Sequence, residues 1–308
     1  MSESMIVGVD HGYAAMKTAH FSFPSGLVAY EHEPYTLKDV LEYGGKFYVV
    51  GSGRQALQKN KTQTEDYYLL TLAAIAKELS FRHAEPAAEI HLAAGLPLTS
   101  FGREKNAFRE YLLRDGKTVN FRYEGQDYSI VIRKVSLFPQ GYAAVLTQSI
   151  LLDEPSVIVA DIGGWTVDVI TFINNELDNT KCDSKPLGIL PMYESIIKHV
   201  EEETGKRITK DIIGSILAGK PTLVPEGIKD FILNDVKNHI RLILGELAQF
   251  GLSFDLYPTL FIGGGSLLFR KYIDEVKDEF GLIKYEFIEN PNANALGYEK
   301  LIRQTNNN

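Results

Sequence analysis

Cysteine is almost missing from this chain: one thiol, Cys182, in 308 residues. A single thiol excludes an internal disulfide framework and any metal site made of paired cysteines. No base accompanies Cys182 in a recognisable motif, so it reads as a structural or exposed thiol. Long apolar runs are missing too. No stretch nears the ~20 uninterrupted apolar residues of a membrane span. The first apolar run, residues 5–9, is broken by Asp10 and follows no basic segment, unlike a secretory signal. Neither end offers an amphipathic anchor. A cytoplasmic protein without a membrane partner is the expectation. Positive charge is scarce, with 32 Lys and Arg against 40 Asp and Glu, a net −8. Neutralising nucleic-acid phosphates takes clustered cations. The longest basic-looking stretch, residues 54–61, reads as a solvated helix face, so direct nucleic-acid binding is not expected.

What is present is ordinary globular material, 44% hydrophobic and 23% charged. At this length two cores are the default. Residues 5–9 read as a buried strand running into a turn, and residues 16–23 as the returning strand. A hairpin is expected over 40–50, turning at Gly44-Gly45. Helical spacing follows at 66–79, a strand at 89–94, a helix at 103–114, a strand pair at 119–135 and a small-residue helix at 142–151. The plan then restarts. Residues 156–160 form a strand ending in another acidic glycine turn, and 166–173 return. Helices at 192–204, 210–218 and 226–250 precede a strand at 259–262, a glycine loop, and helices at 267–280 and 293–304. The recurrence from residue 5 and again from residue 156 predicts two α/β units with a ligand cleft between them.

The two turns carry the chemistry. In Asp10-His11-Gly12-Tyr13-Ala14-Ala15-Met16-Lys17, small residues let backbone N–H groups approach a phosphate. Lys17 on the returning strand offers a point charge to the β- and γ-phosphates. Asp10 suits a water-mediated hold on Mg²⁺, which keeps much of its hydration shell. An ordinary hairpin turn is the alternative for this segment alone. The second turn, Asp161-Ile162-Gly163-Gly164-Trp165-Thr166-Val167-Asp168, repeats the chemistry, with Asp161 as the second metal carboxylate. Neither turn contains the Gly-Lys-Ser/Thr of a Walker loop. Gly263-Gly264-Gly265-Ser266 lies between a strand and a helix, where glycines let backbone lie flat against a base or ribose and the helix N-terminus favours a phosphate. A tight strand–helix turn is its plain alternative.

This ordered set resembles the actin, heat-shock chaperone and sugar kinase superfamily: phosphate turn one, a connecting helix, phosphate turn two, the adenosine segment and a second connecting segment at 293–297. The resemblance covers nearly the whole chain. It implies an α/β fold of two actin-like (ribonuclease H-like) domains flanking an interdomain nucleotide cleft. Domain I would span 1–155, with a helix near 295–308 packed back onto it, and domain II would span 156–294. It implies nucleotide contacts from Asp10, Gly12, Tyr13, Ala14, Lys17, Gly163, Gly164, Trp165, Thr166, Lys237, Gly263, Gly264, Gly265 and Ser266. Catalytic roles would fall to Gln140 and Asp161, with Gln140 orienting the attacking water. A Gln positions water without being a strong base. Many bacterial relatives have Glu there, and an ordinary helix-start residue is the alternative. Trp165 replaces a small or hydroxylated residue, and either packs on a neighbouring strand or serves a subunit contact. Lys237, in a stretch similar to one lining the purine, is otherwise a solvated helix lysine.

Within the superfamily the chain resembles the ParM-type plasmid segregation proteins, in residues 61–74 and 91–102 as well as in the turns. The resemblance implies an ATPase (ATP, or GTP, with Mg²⁺) that forms a homopolymeric filament and disassembles on hydrolysis. The filament would reach plasmid DNA through a DNA-binding partition adaptor on a centromere-like site. A small-molecule kinase or phosphatase of the same fold, with Asp168 as the base, is the alternative from another class. A non-hydrolysing ATP-binding regulator is a third.

Overall fold

The computed structural model describes residues 4–53, 61–146, 154, 156–174, 176–249 and 253–306. It divides into two compact units, Met1–Gln148 with Pro291–Asn308, and Ser149–Asn290.

The first unit opens with β1 (Met5–His11), β2 (Ala15–Thr18), β3 (Ser22–Pro24), β4 (Leu27–Tyr30), β5 (Val40–Tyr43) and β6 (Lys46–Val50). The single returning strand expected at 16–23 is two strands, because the chain turns again between Thr18 and Ser22. That turn closes through the Thr18 N–H on the Phe21 carbonyl at 2.8 Å. The expected hairpin does turn at Gly44 and Gly45, both at positive φ (61° and 75°), the backbone that a two-residue hairpin turn of right-handed twist requires. Next come α1 (Asp66–Phe81), β7 (Ala87–Leu96), α2 (Leu98–Leu113), β8 (Thr118–Tyr123), β9 (Gln126–Pro139) and α3 (Tyr142–Leu146). The nine strands form one sheet in the order β3-β2-β1-β7-β9-β8-β5-β6-β4. β7 lies parallel to both β1 and β9. Its buried run, Ile90–Leu96, is nearly all apolar, as a central strand covered on both faces must be. Alternation along it sorts the faces. Leu92 and Ala94 join Val7, Val9 and the apolar side of α1 in the main core.

The second unit holds β10 (Val157–Ile162), β11 (Val167–Ile173), β12 (Glu176–Leu177), β13 (Asp183–Lys185), α4 (Ile189–Thr204), α5 (Lys210–Leu217), α6 (Glu226–Ala248), β14 (Thr259–Ile262), α7 (Gly263–Val276) and β15 (Tyr285–Phe287). Its sheet runs β12-β11-β10-β14-β15, with β13 also on β11. Ile158, Ala160 and Ile162 pack with α4, α6 and α7 in a separate core. The chain then returns to the first unit as α8 (Ala293–Asn306). Tyr298 and Ile302 of α8 pack with Ala143 of α3 and with Ala93, the β7 residue between Leu92 and Ala94 and so on the opposite sheet face. Of the expected solvated face at 54–61 only Lys61 lies within the described residues. The ends of the expected helices beyond residues 146 and 249 lie outside them. Among the described residues no helix is long and apolar enough to cross a membrane.

Candidate functional site

Each unit carries one hairpin of the same build. In the first, Val9 pairs with Thr18, Asp10 with Lys17 and His11 with Met16. In the second, Ala160 pairs with Val169, Asp161 with Asp168 and Ile162 with Val167. Four residues make each turn, and a glycine comes first in both. A Cβ at Gly12 would stand 2.5 Å from the Ala15 carbonyl oxygen, and one at Gly163 would stand 3.2 Å from that of Thr166. Cross-strand partners share a face. Lys17 therefore stands beside Asp10, whereas Asp168 stands beside Asp161.

The second turn is gripped from behind by the start of α4. The N–H groups of Gly188, Ile189 and Leu190 donate to the carbonyls of Trp165, Gly163 and Gly164, at 2.9, 3.2 and 2.8 Å. A trans peptide points its C=O and its N–H in opposite directions. Tying down these three carbonyls therefore directs the N–H groups of Gly164, Trp165 and Thr166 the other way. Among the described residues those three amides donate to nothing. Such a row of amides is an anion-binding concavity. Gly188 has to be glycine: a Cβ would meet Trp165 C at 2.6 Å and the Gly163 carbonyl oxygen at 2.7 Å. Trp165 is half-buried. Thr166 Oγ1 donates to Asp168 Oδ2 at 3.1 Å, and Asp161 and Asp168 are both buried.

The first turn is tied back by other groups. Ser25 Oγ donates to the Gly12 carbonyl at 2.7 Å, and the Ser25 N–H to that of Ala14 at 3.1 Å. Lys61 Nζ donates to the His11 carbonyl at 2.5 Å. Beneath the turn, Thr71 Oγ1 donates to the Tyr67 carbonyl, so its oxygen accepts from His11 Nε2 at 2.8 Å. Burial, and then the charge of Lys61, hold His11 well below the usual imidazole range, and it stays neutral. Asp10 is buried, Gly12, Tyr13 and Lys17 are half-buried, and Ala14 is exposed.

Gln140 follows β9 directly. Its N–H donates to the Leu96 carbonyl at 2.8 Å, and its Nε2 to Asp10 Oδ1 at 2.7 Å. The structure thus brings together two of the site residues read from the sequence. With Nε2 committed to Asp10, the acceptor Oε1 is the end left for a ligand or water. A glycine sets this position as well: a Cβ at Gly95 would overlap Tyr298 Oη and come within 3.0 Å of Gln140 Cγ. Asn294 Oδ1 accepts from the Gly141 N–H at 2.8 Å, which joins the start of α8 to the segment after Gln140.

The adenosine segment is a correction. Gly263–Ser266 is the first turn of α7 and not a loop ahead of a helix starting at 267. Gly263 and Gly265 are pressed onto the end of β10. A Cβ would meet Asp161 Oδ1 at 2.5 Å from Gly263 and Ile162 Cγ2 at 2.5 Å from Gly265. Ser266 Oγ is buried and donates to the Gly263 carbonyl. Of the four, Gly264 alone has open space around it. Lys237 on α6 pairs with Glu275 of α7 at 2.7 Å. Sequence reading gave no site role to Ser25, Lys61, Thr71 or Gly188. Their signals are contacts across 13 to 60 residues, which no local motif encodes.

Two units, each a sheet whose first hairpin has a buried Asp at its root and a turn that begins with glycine, define a duplicated α/β fold of the ribonuclease H-like kind. Residues 8–142 match the family model for the N-terminal domain of actin-like proteins. An archaeal actin homolog superposes with a TM-score of 0.74 at 22% identity, over 97% of this chain and 99% of that one. The same homolog complexed with ADP gives 0.68 at 22%, over 97% and 99%. A subunit of a 15-stranded ParM filament from Clostridium botulinum gives 0.78 at 18%, over 98% and 99%. No curated protein matches the chain. The protein is actin-like in fold.

Proposed function

We propose that this chain is an ATPase that assembles with copies of itself into a nucleotide-dependent filament. The observation that carries the reading is the pair of equivalent hairpin turns. Each has a buried carboxylate at its root, and in the second three outward amides are preset by α4. Amides preset in this way bind phosphate oxygens without reorganisation on binding. Asp10 and Asp161 are hard oxygen donors that suit Mg²⁺ held through its water shell. The ion would neutralise phosphate charge. Gln140, oriented by Asp10, would position the attacking water through Oε1. One structural relative is an ADP complex and another is a filament, which supports both parts of the reading. A head-to-tail contact that does not close into a ring builds such a polymer. Hydrolysis would weaken it. Segregation of plasmid DNA through an adaptor is the role the net charge of −8 favours over direct DNA binding.

A small-molecule kinase or phosphatase is the second reading. Its support is Asp168, a buried carboxylate on the same hairpin face as Asp161. Light scattering and pelleting with ATP·Mg²⁺, GTP·Mg²⁺ and ADP separate the two. Assembly with a triphosphate, not with ADP, and abnormal in Asp161→Ala, is the expected result. Turnover with no assembly at any concentration overturns the filament and leaves the small-molecule enzyme.

A further inference from the structure

Each outward amide of the second turn shares a peptide plane with a carbonyl that is already taken. The Gly163 and Gly164 carbonyls accept from Ile189 and Leu190, the first two residues of α4. The N–H groups of Gly164 and Trp165 are thus backed by a helix. The Thr166 N–H has a different backing. Its peptide carbonyl, that of Trp165, accepts from Gly188, which caps α4. The peptide of Gly188 has the Leu187 carbonyl at its other end, and that carbonyl meets His239 Nε2 of α6 at 2.8 Å.

A carbonyl only accepts, so Nε2 carries the proton and donates. Burial depresses the ring below the usual imidazole range, against the opposing pull of the Leu187 carbonyl, and it stays neutral. The ring stands edge-on to Phe269 of α7, with centroids 6.2 Å apart at 64°. A phenylalanine could make that contact as well, so the N–H is what distinguishes a histidine here. An unbroken series results: His239 N–H to Leu187 C=O, Gly188 N–H to Trp165 C=O, and Thr166 N–H outward. The C=O and N–H of a trans peptide point opposite ways, so each plane passes the alignment on. Hydrogen bonds in such a series polarise one another, and the last donor is the one that gains for a ligand.

We propose that His239 is a positioning residue of the anion-binding turn: through Leu187 and Gly188 it aims and polarises the Thr166 N–H for a phosphate oxygen. The inference rests on the nucleotide reading given above. Two of the three amides take their alignment from α4, and the third takes it from a side chain on α6.

The test uses the full chain with His239→Phe, which keeps a ring on Phe269 without a donor, and His239→Gln, which keeps a neutral donor. His239→Met serves as a second donor-free variant should His239→Phe not fold. Two quantities are read: the amide proton shifts of Gly164, Trp165 and Thr166 by NMR without ligand, and ATP and ADP affinities by displacement of a fluorescent ADP analogue. The donor-free variant should move the Thr166 amide upfield and leave those of Gly164 and Trp165 in place. It should weaken nucleotide binding by roughly 2–10-fold, the share of one charge-assisted hydrogen bond that alignment and polarisation supply. His239→Gln should restore part of both. Three amides that shift together, or none, overturn the proposal and make His239 a strut of α6. A Thr166 shift with unchanged affinities overturns it too, since that amide then meets no phosphate. An unsubstituted chain that binds no nucleotide overturns the functional reading itself, a result visible before any variant is made.

Discussion

His11 ties the first turn to α1 while staying uncharged. In the unfolded chain an imidazole titrates near about 6.5, but burial and Lys61 depress this one in the fold. Below that pH the unfolded state takes up a proton that the native state refuses, so stability is full above it and falls as the pH drops. The loss is at most about 1.4 kcal/mol per pH unit from this group. His91 and His239, also depressed by burial, act in the same direction. Urea midpoints at pH 7.5 and 5.5 should show the decline, and His11→Gln should make it shallower; an unchanged slope would place the dependence elsewhere. At this scale the sequence marked the residues that make the two turns, such as Asp10, Asp161 and Gly163, and the structure places them in equivalent hairpins. It concealed Lys61 and Gly188, whose meaning is a carbonyl many residues away.

At the scale of elements, the start of α7 shows what glycines are for. Gly265→Ala would drive a methyl into Ile162 and should cost about 1–3 kcal/mol. Gly264→Ala meets nothing and should stabilise by roughly 0.5–1 kcal/mol, since alanine outranks glycine inside a helix. Thermal melts of the two variants check the contrast, and equal effects would refute the assigned contacts. The same glycines explain why this segment read as a loop. Low helix propensity was overridden by a strand end that admits no side chain. The seating of α8 was equally hidden. Glu299 accepts from the Gly8 N–H at 2.9 Å and from Arg82 Nη2 at 2.6 Å, and Arg82 also holds the buried Glu78. Glu299→Ala should cost about 3 kcal/mol, as removing one partner of a buried pair does. Arg303→Ala, which frees an exposed end of the same network, should cost under about 1 kcal/mol. Chemical denaturation distinguishes these outcomes.

For the whole molecule, the restart of the strand–turn–strand plan at residue 156 was readable because each unit opens with an apolar run broken by Asp and glycine. The nine-strand order of the first sheet was not, since its pairings join residues up to 85 apart along the chain, Met5 with Ile90 among them. Two separate cores imply two thermodynamic units. Leu92→Ala in one core and Leu260→Ala on β14 should each cost roughly 2–5 kcal/mol, and each should lower a different transition in calorimetry. A single transition that moves alike in both variants would show the units melting as one.

Gly8 and Glu299 are 291 residues apart, yet they share a hydrogen bond. On a ribosome adding roughly 5–20 residues per second, β1 emerges ~15–60 s before α8. During that interval the sheet face that α8 will cover is bare, and Ser149–Asn290 is completed first. β1 waits for α8. A nonsense mutation or a stalled ribosome between the codons for Asn290 and Ala293 would therefore damage the first unit and spare the second.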